Sequence, residues 1–65
     1  MKYCLVADDG QARVVAYRNT LRRIKLIASI VSSGSTAKWH VCRREPSPNG
    51  ENLVTIETWE KGVKL

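Results

Sequence analysis

The sequence is poor in the residues that build chemical or structural centres, with no phenylalanine, one histidine and two cysteines among 65 residues. Two cysteines allow at most one disulfide, which excludes a disulfide-stapled scaffold, and we expect Cys4 and Cys42 to be free thiols. A structural zinc site normally takes four Cys or His ligands, whereas Cys4, His40 and Cys42 supply only three. The sequence therefore predicts neither a metal site nor a cofactor.

Long hydrophobic runs are also lacking. The run "YCLVA" stops at Asp8, which makes it too short for the apolar segment of a signal peptide. The run "LIASIV" is too short to cross a bilayer. We therefore expect no membrane partner and a cytoplasmic location.

The motifs of common enzymes are missing as well. The segment "SSGS" follows a predicted helix, so it lacks the geometry of a phosphate-binding loop, which precedes a helix N-terminus. His40 and Cys42 lie two residues apart on one predicted strand, and the resulting separation of roughly 6 to 7 Å is too long for a thiolate–imidazole pair. No two carboxylates are spaced for acid–base catalysis. We predict that the protein is not an enzyme and has no catalytic residue.

Acidic residues are absent from the middle of the chain. All six lie before residue 10 or after residue 44, and eight arginines and lysines lie between Asp9 and Glu45. Together with a net charge of +5, this distribution gives a local positive potential that favours an acidic partner, either a nucleic acid or an acidic protein surface. The alternative, that these cations are solvated surface charges, stays open.

The residues that are present predict a hairpin followed by a helix. In "KYCLVADDGQARVVAY", Asp9-Gly10 suits a two-residue type I′ turn, which places Leu5 opposite Val14 and one apolar face toward the core. A helix capped by Asn19 or Thr20 is expected to run to about Ser32, with Gly34 in a left-handed conformation after it. Its predicted apolar arc consists of Leu21, Ile24, Ile27, Ala28, Ile30 and Val31.

Two more strands complete the predicted fold. "TAKWHVCRR" and "LVTIETW" alternate as strands do, the proline-containing "EPSPNGEN" is expected to be a loop, and "EKG" predicts a tight turn before a short fifth strand. The predicted architecture is α+β, a single domain over residues 1–65 with ββαββ order, in which one helix packs across one face of a single antiparallel sheet. The predicted core consists of Leu5, Val14, Ile24, Ile27, Val41 and Ile56.

One helix covers one sheet face, so the other face is predicted to stay open. It is expected to mix apolar and basic side chains and to be either ordinary surface or an interface, with closure by a second copy of the chain as one alternative. Aromatic side chains that lie among cations on this open face would also suit a small basic DNA- or RNA-binding protein. The candidate nucleic-acid-binding residues are Arg13, Tyr17, Lys38, His40, Arg44 and Trp59.

The helix itself is the other candidate surface. Arg22, Lys25 and Ser29 share its polar face, and Arg18 precedes it. These four residues are the predicted partner-binding set, and their charge suits an acidic protein surface.

The same helix carries a resemblance to a known group. "TLRRIKLIAS" lies after a hairpin and before "STAKWHVCRREPSPNGENLVTIETWEKGVK". It resembles the small phage-encoded proteins built as one helix on an antiparallel sheet, and among them a type I-F anti-CRISPR inhibitor with a helix of the form Ser-Leu-x-x-Ala-Lys-x-Ile-Ala-Ser. The positions that match are Thr20, Leu21, Lys25, Ile27, Ala28 and Ser29, and Ile24 stands where the pattern has alanine.

The resemblance implies a non-enzymatic inhibitor that docks on the backbone subunits of a CRISPR surveillance complex. Lys25 would lie at that contact, and target DNA would be kept from its guide. Many inhibitors of this kind are acidic mimics of DNA, which a basic chain cannot be. The expected partner is therefore an acidic protein surface of a host or CRISPR effector complex.

Overall fold

The computed structural model describes all 65 residues as one helix and five strands. Strand β1 spans Tyr3–Asp8, β2 Ala12–Arg18, α1 Leu21–Ser33, β3 Lys38–Ser47, β4 Gly50–Glu60 and β5 Val63–Lys64. The strands form one antiparallel sheet in the order β2-β1-β3-β4-β5, and α1 packs across one face of it. This arrangement confirms the predicted α+β class. We call the face under α1 the helix side and the opposite face the outer face.

The first hairpin forms, but the predicted register is wrong. Its connection has three residues, because Asp8 pairs with Ala12, and the Asp8 carboxylate accepts a hydrogen bond from the amide of Gly10, which has a φ of 113°. A bulge between Leu5 and Val6 then shifts the pairing again. Leu5 therefore faces Ala16, and Val14 faces Val6 on the outer face. Val14 is 37% exposed and does not belong to the core that the two-residue turn predicted.

Helix α1 agrees with its predicted bounds. The Thr20 hydroxyl caps its N-terminus by accepting a hydrogen bond from the amide of Arg23. At the other end, Gly34 has a φ of −105°, so the left-handed conformation predicted for it is wrong. The fully buried Ser32 holds this end to the sheet, because its hydroxyl accepts a hydrogen bond from the amide of Gly62 in the β4–β5 turn.

The predicted loop over residues 45–52 is instead the tip of a long hairpin. Strand β3 continues through Pro46 to Ser47, which pairs with Gly50 across a two-residue turn. Pairing of β3 with β1 ends near Arg43, so Pro46 lies where β3 has only β4 as a neighbour. A proline at such an edge interrupts no central hydrogen-bond ladder, so Pro46 is compatible with a strand here.

A second bulge reverses the expected faces of β4. Val41 pairs with Glu57 and Cys42 with Thr55, so Ile56 is an extra residue of β4. Beyond the bulge, Glu57 and Trp59 lie on the helix side, and Ile56 is 40% exposed rather than core. Alternation along β4 alone assigned these residues to the opposite faces.

The core is small and lies on both sides of the sheet. On the helix side the buried cluster consists of Leu5, Ile24, Ala28 and Val41, with Ile27 partly buried against it. On the outer face a second buried cluster consists of Cys4, Val6 and Cys42. Four of the six predicted core residues thus pack in the core or against it, and the two at bulged strands do not. The structure contains no helix with the length and apolar character needed to cross a membrane.

Candidate docking groove beside the helix

An open groove runs between α1 and the end of β4. It has a volume of about 400 Å³, and its lining consists of Arg22, Lys25, Leu26, Ser29 and Trp59. Three of the four predicted partner-binding residues therefore line one depression, together with an indole that the sequence placed on the opposite face. We call these five residues the helix groove.

Helical spacing and the β4 bulge together build this site. Arg22, Leu26 and Ser29 follow each other at intervals of four and three residues, so they form a ridge along one side of α1. Trp59 reaches the foot of that ridge because the bulge turns it to the helix side, where it pairs across the strands with Trp39. The ridge was visible in the helix pattern, whereas the aromatic floor was not.

Lys25 does not present a free charge to the groove. Its ammonium lies 2.8 Å from the carboxylate of Glu57, whose side chain is only 8% exposed. The indole N–H of Trp59 donates a second hydrogen bond to the same carboxylate at 3.0 Å. Burial acts to raise the pKa of Glu57, but the hydrogen bonds from Lys25 and Trp59 outweigh it and hold that pKa below its ordinary value. Lys25 thus helps to hold the wall of the groove, and its charge is already compensated by Glu57 before any partner binds.

Arg22 is the unpaired cation of the groove. It makes no ion pair within the chain, and neither do its neighbours Arg18 and Arg23, although Arg18 donates a hydrogen bond to the carbonyl of Tyr17. The first turn of α1 contains no acid. Cations at the positive end of a helix dipole are mildly unfavourable, so this end of the molecule has an uncompensated positive potential.

Two large aliphatic residues stand on the outermost ridge of α1. Leu26 is 60% exposed and Ile30 is 62% exposed, and they are one helical turn apart. Ile30 belongs to the apolar arc that helical spacing predicts, but it faces solvent because the buried side of α1 is centred on Ile24 and Ala28. The groove is therefore bordered by an apolar ridge that intrachain packing does not use.

The predicted nucleic-acid-binding residues are not assembled on one surface. Tyr17, Lys38, His40 and Arg44 lie on the outer face, Arg13 lies beside the first turn, and Trp59 lies in the helix groove on the other side. The ring of Tyr17 carries the Arg44 guanidinium, 4.8 Å from its centroid. A stacking surface that combines Tyr17, His40 and Trp59 is thus not formed.

The two arginines among these candidate residues are already paired with acids. Arg44 donates two hydrogen bonds to Glu51, and these hydrogen bonds lower the pKa of Glu51. Arg13 lies 3.5 Å from Asp9, and His40 lies 3.6 Å from Asp8 while bonding the Thr58 hydroxyl. Lys38 faces Asp8 across the strands but forms no ion pair with it. These pairs reduce the charge available to a phosphate backbone.

Cys4 and Cys42 are direct cross-strand partners, which the sequence did not reveal. Both are buried free thiols on the outer face. Burial raises the pKa of the Cys4 thiol, and the neighbouring Cys42 raises it further. The Cys42 sulfur also lies 3.7 Å from the Thr55 hydroxyl. Thiols of this kind are packing residues with low reactivity.

No protein-family model, curated protein or solved structure matches this chain. The geometry of the groove and the physical chemistry of its side chains are therefore the basis for inferring a function. The likeness of the helix to a type I-F anti-CRISPR inhibitor stays a prediction.

Proposed function

We propose that the protein is a non-enzymatic binding module that docks its helix groove on an acidic protein surface. We further propose, in line with the resemblance of the helix, that this docking inhibits a bacterial defence complex of the CRISPR type, in the cytoplasm of an infected bacterium. One observation carries the proposal: exposed Leu26 and unpaired Arg22 adjoin an indole floor in one open groove.

The side chains of the groove are those that dominate protein interfaces. Tryptophan and arginine are enriched among the residues that contribute most of a binding energy, and they act best in a pocket that excludes water. Trp59 is held in place by its hydrogen bond to Glu57, so little further ordering is needed when a partner covers it. Leu26 and Ile30 add apolar area that folding leaves in contact with water.

The charges of the helix groove determine which charge the partner's surface should carry. Lys25 is already compensated by Glu57, whereas Arg22 has no anion within the chain. A guanidinium accepts a carboxylate in bidentate geometry, so a glutamate or aspartate on the partner is the expected contact of Arg22. The nearby Arg18 and Arg23 would raise the rate of encounter with an acidic surface.

The test uses a charge reversal that leaves the internal ion pair intact. Arg22→Glu changes a groove residue, and Lys38→Glu is the matched control because Lys38 is an exposed cation on the outer face. Binding to purified type I-F surveillance complex is measured together with the complex's affinity for target DNA. We expect Arg22→Glu to weaken binding by about a hundredfold, since like charges across an interface cost several kcal/mol, and Lys38→Glu to stay within about twofold.

Failure can be assigned to one half of the proposal. If wild type does not bind the surveillance complex, the inhibitor assignment is wrong, and docking is tested by capture from nuclease-treated bacterial lysate with wild type and Arg22→Glu. Equal capture by both variants would contradict docking through the groove. Binding that requires nucleic acid and is lost with Lys38→Glu would support the alternative, a small DNA- or RNA-binding protein.

A further inference from the structure

The outer face of the sheet has an apolar centre that no element covers. Its floor is the buried cluster of Cys4, Val6 and Cys42. Across the strands, Val14 pairs with Val6, Tyr17 with Cys4 and Leu53 with Arg44. Val14, Tyr17 and Leu53 are 37%, 42% and 42% exposed, so the apolar area continues from β2 to β4.

The charges of this face cancel, in contrast to those of the helix side. On the strand pairs of the outer face, Asp8 is balanced by Lys38 and Glu51 by Arg44. Lys2, next to Arg44 at one rim, adds a cation, and Glu60, which follows the helix-side Trp59 on β4, adds an acid at the other end of the face. The face therefore has almost no net charge, although the chain as a whole carries +5.

A second subunit packed on the outer face would also add buried apolar area to a protein whose own core is small. Only 10 of 65 residues are buried, and the main cluster has four members. Chains of this size commonly gain stability from a disulfide, a metal or a second subunit. The two cysteines are free and no group of side chains is placed to hold a metal, which leaves the second subunit.

We infer that a second copy of this chain covers the outer face, so that two sheets pack face to face about a twofold axis. A twofold axis brings identical patches together, and only a patch without net charge can meet its own copy without repulsion. The helix side has an excess of cations and would repel a copy of itself, and an acidic or phosphate-bearing partner would find no net positive charge on the outer face. In the resulting dimer both helix grooves point outward, so the inference holds whether or not the groove docks as proposed.

The experiment is sedimentation equilibrium of the full chain from about 1 µM to about 1 mM, a range that spans weak and moderate dimer affinities. Leu53→Glu changes the outer face. Leu26→Glu is the control, because it makes the identical substitution on the exposed side of α1, where the leucine is more exposed. Val14→Glu is a second outer-face variant on another strand, which keeps the test decisive if one variant does not fold. Circular dichroism checks the fold of each.

We expect wild type and Leu26→Glu to form the same dimer, and Leu53→Glu and Val14→Glu to weaken it by about tenfold or more, because the twofold axis brings two new carboxylates into one seam. Raising the salt should leave the dimer unchanged or tighten it, since screening reduces the repulsion between two chains of net charge +5. A monomer over the whole range overturns the inference. Dissociation by Leu26→Glu, or a dimer that survives both outer-face variants, overturns the assignment of the face.

Discussion

At the scale of single residues, partners determine what a charge does. Arg22 and Lys25 belong to the same basic segment and look equivalent in the sequence. In the structure Lys25 is bound to a nearly buried carboxylate, and Arg22 has no partner. Substitution of one tests the fold, and substitution of the other tests the surface.

Replacing Lys25 by methionine should destabilise the fold, because it leaves the Glu57 carboxylate with the indole of Trp59 as its remaining hydrogen-bond donor. Lys25 is 41% exposed, so we expect a loss of about 1 kcal/mol in the free energy of unfolding at pH 7. Arg22→Met, the control, should change stability by less than about 0.5 kcal/mol. Urea denaturation measures both, and equal effects of the two variants would contradict the ion pair.

The same ion pair makes the loss depend on pH. The pKa of Glu57 is lowered in the folded state, so its contribution to stability is present above the ordinary glutamate pKa and is lost as the pH falls through the folded value. The difference between wild type and Lys25→Met should therefore shrink between about pH 5 and about pH 3. A difference that stays constant over this range would show that Lys25 acts through packing alone.

The cysteines give a second prediction at this scale. Both thiols are buried, and burial raises the pKa of Cys4, so the native protein should react slowly with a thiol reagent at pH 7. In denaturant two thiols per chain should react at once. A single rapid titration with Ellman's reagent, with and without denaturant, checks this. An intact disulfide in protein freshly purified from a reducing cytosol would contradict the assignment of two buried free thiols. Rapid reaction of both thiols in the native protein would contradict it as well.

At the scale of elements, α1 has two apolar ridges with different roles. The inner ridge, Ile24 and Ala28, packs on Leu5 and Val41. The outer ridge, Leu26 and Ile30, makes no core contact and borders the groove. Hydrophobicity alone does not distinguish them, because both are aliphatic and both follow helical spacing.

Two isoleucine truncations on this helix form a matched pair. Ile24→Ala should cost about 2 to 5 kcal/mol, since Ile24 is fully buried and its truncation leaves a cavity. Ile30→Ala should change stability by less than about 0.5 kcal/mol and weaken partner binding instead. Thermal or urea unfolding gives the first quantity, and the docking assay gives the second. Similar destabilisation by both would mean that the helix is rotated relative to this structure.

At the scale of the whole molecule, some parts of the sheet have more neighbouring strands and helix contacts than others. Strand β1 is paired on both sides and covered by α1, whereas the tip of the β3–β4 hairpin lies beyond the end of β1. Residues 50–57 of β4 pair with β3 alone. The centre of the sheet should therefore open only with the whole fold, and the hairpin tip should open locally.

Hydrogen exchange measures this difference. We expect the hydrogen-bonded amides of β1 to exchange about a hundredfold or more slowly than those of residues 45–52. Two-dimensional NMR in deuterated buffer resolves the two groups. Equal protection of both would show that the long hairpin is an integral part of the cooperative unit, as a covering partner would make it.

The sequence by itself determined the order of the elements and the bounds of the helix. Local chemistry suffices for these: Thr20 caps α1, glycines occupy the turns, and alternating apolar residues mark the strands. It also identified three residues of the helix groove, because helical spacing depends only on positions along one segment.

Only the tertiary structure decided which strand residues face the helix. Two bulges, each a single extra residue, invert the face of everything beyond them, and no local signal marks either one. The three-residue connection of the first hairpin excludes Val14 from the core, and the β4 bulge excludes Ile56, brings Trp59 and Glu57 to α1 and thereby completes the groove. The pairing of Cys4 with Cys42 could not be read from one segment either, since it depends on contacts between residues that are 38 positions apart in the sequence. A face is a property of a strand together with its neighbours, and a single strand's sequence cannot contain it.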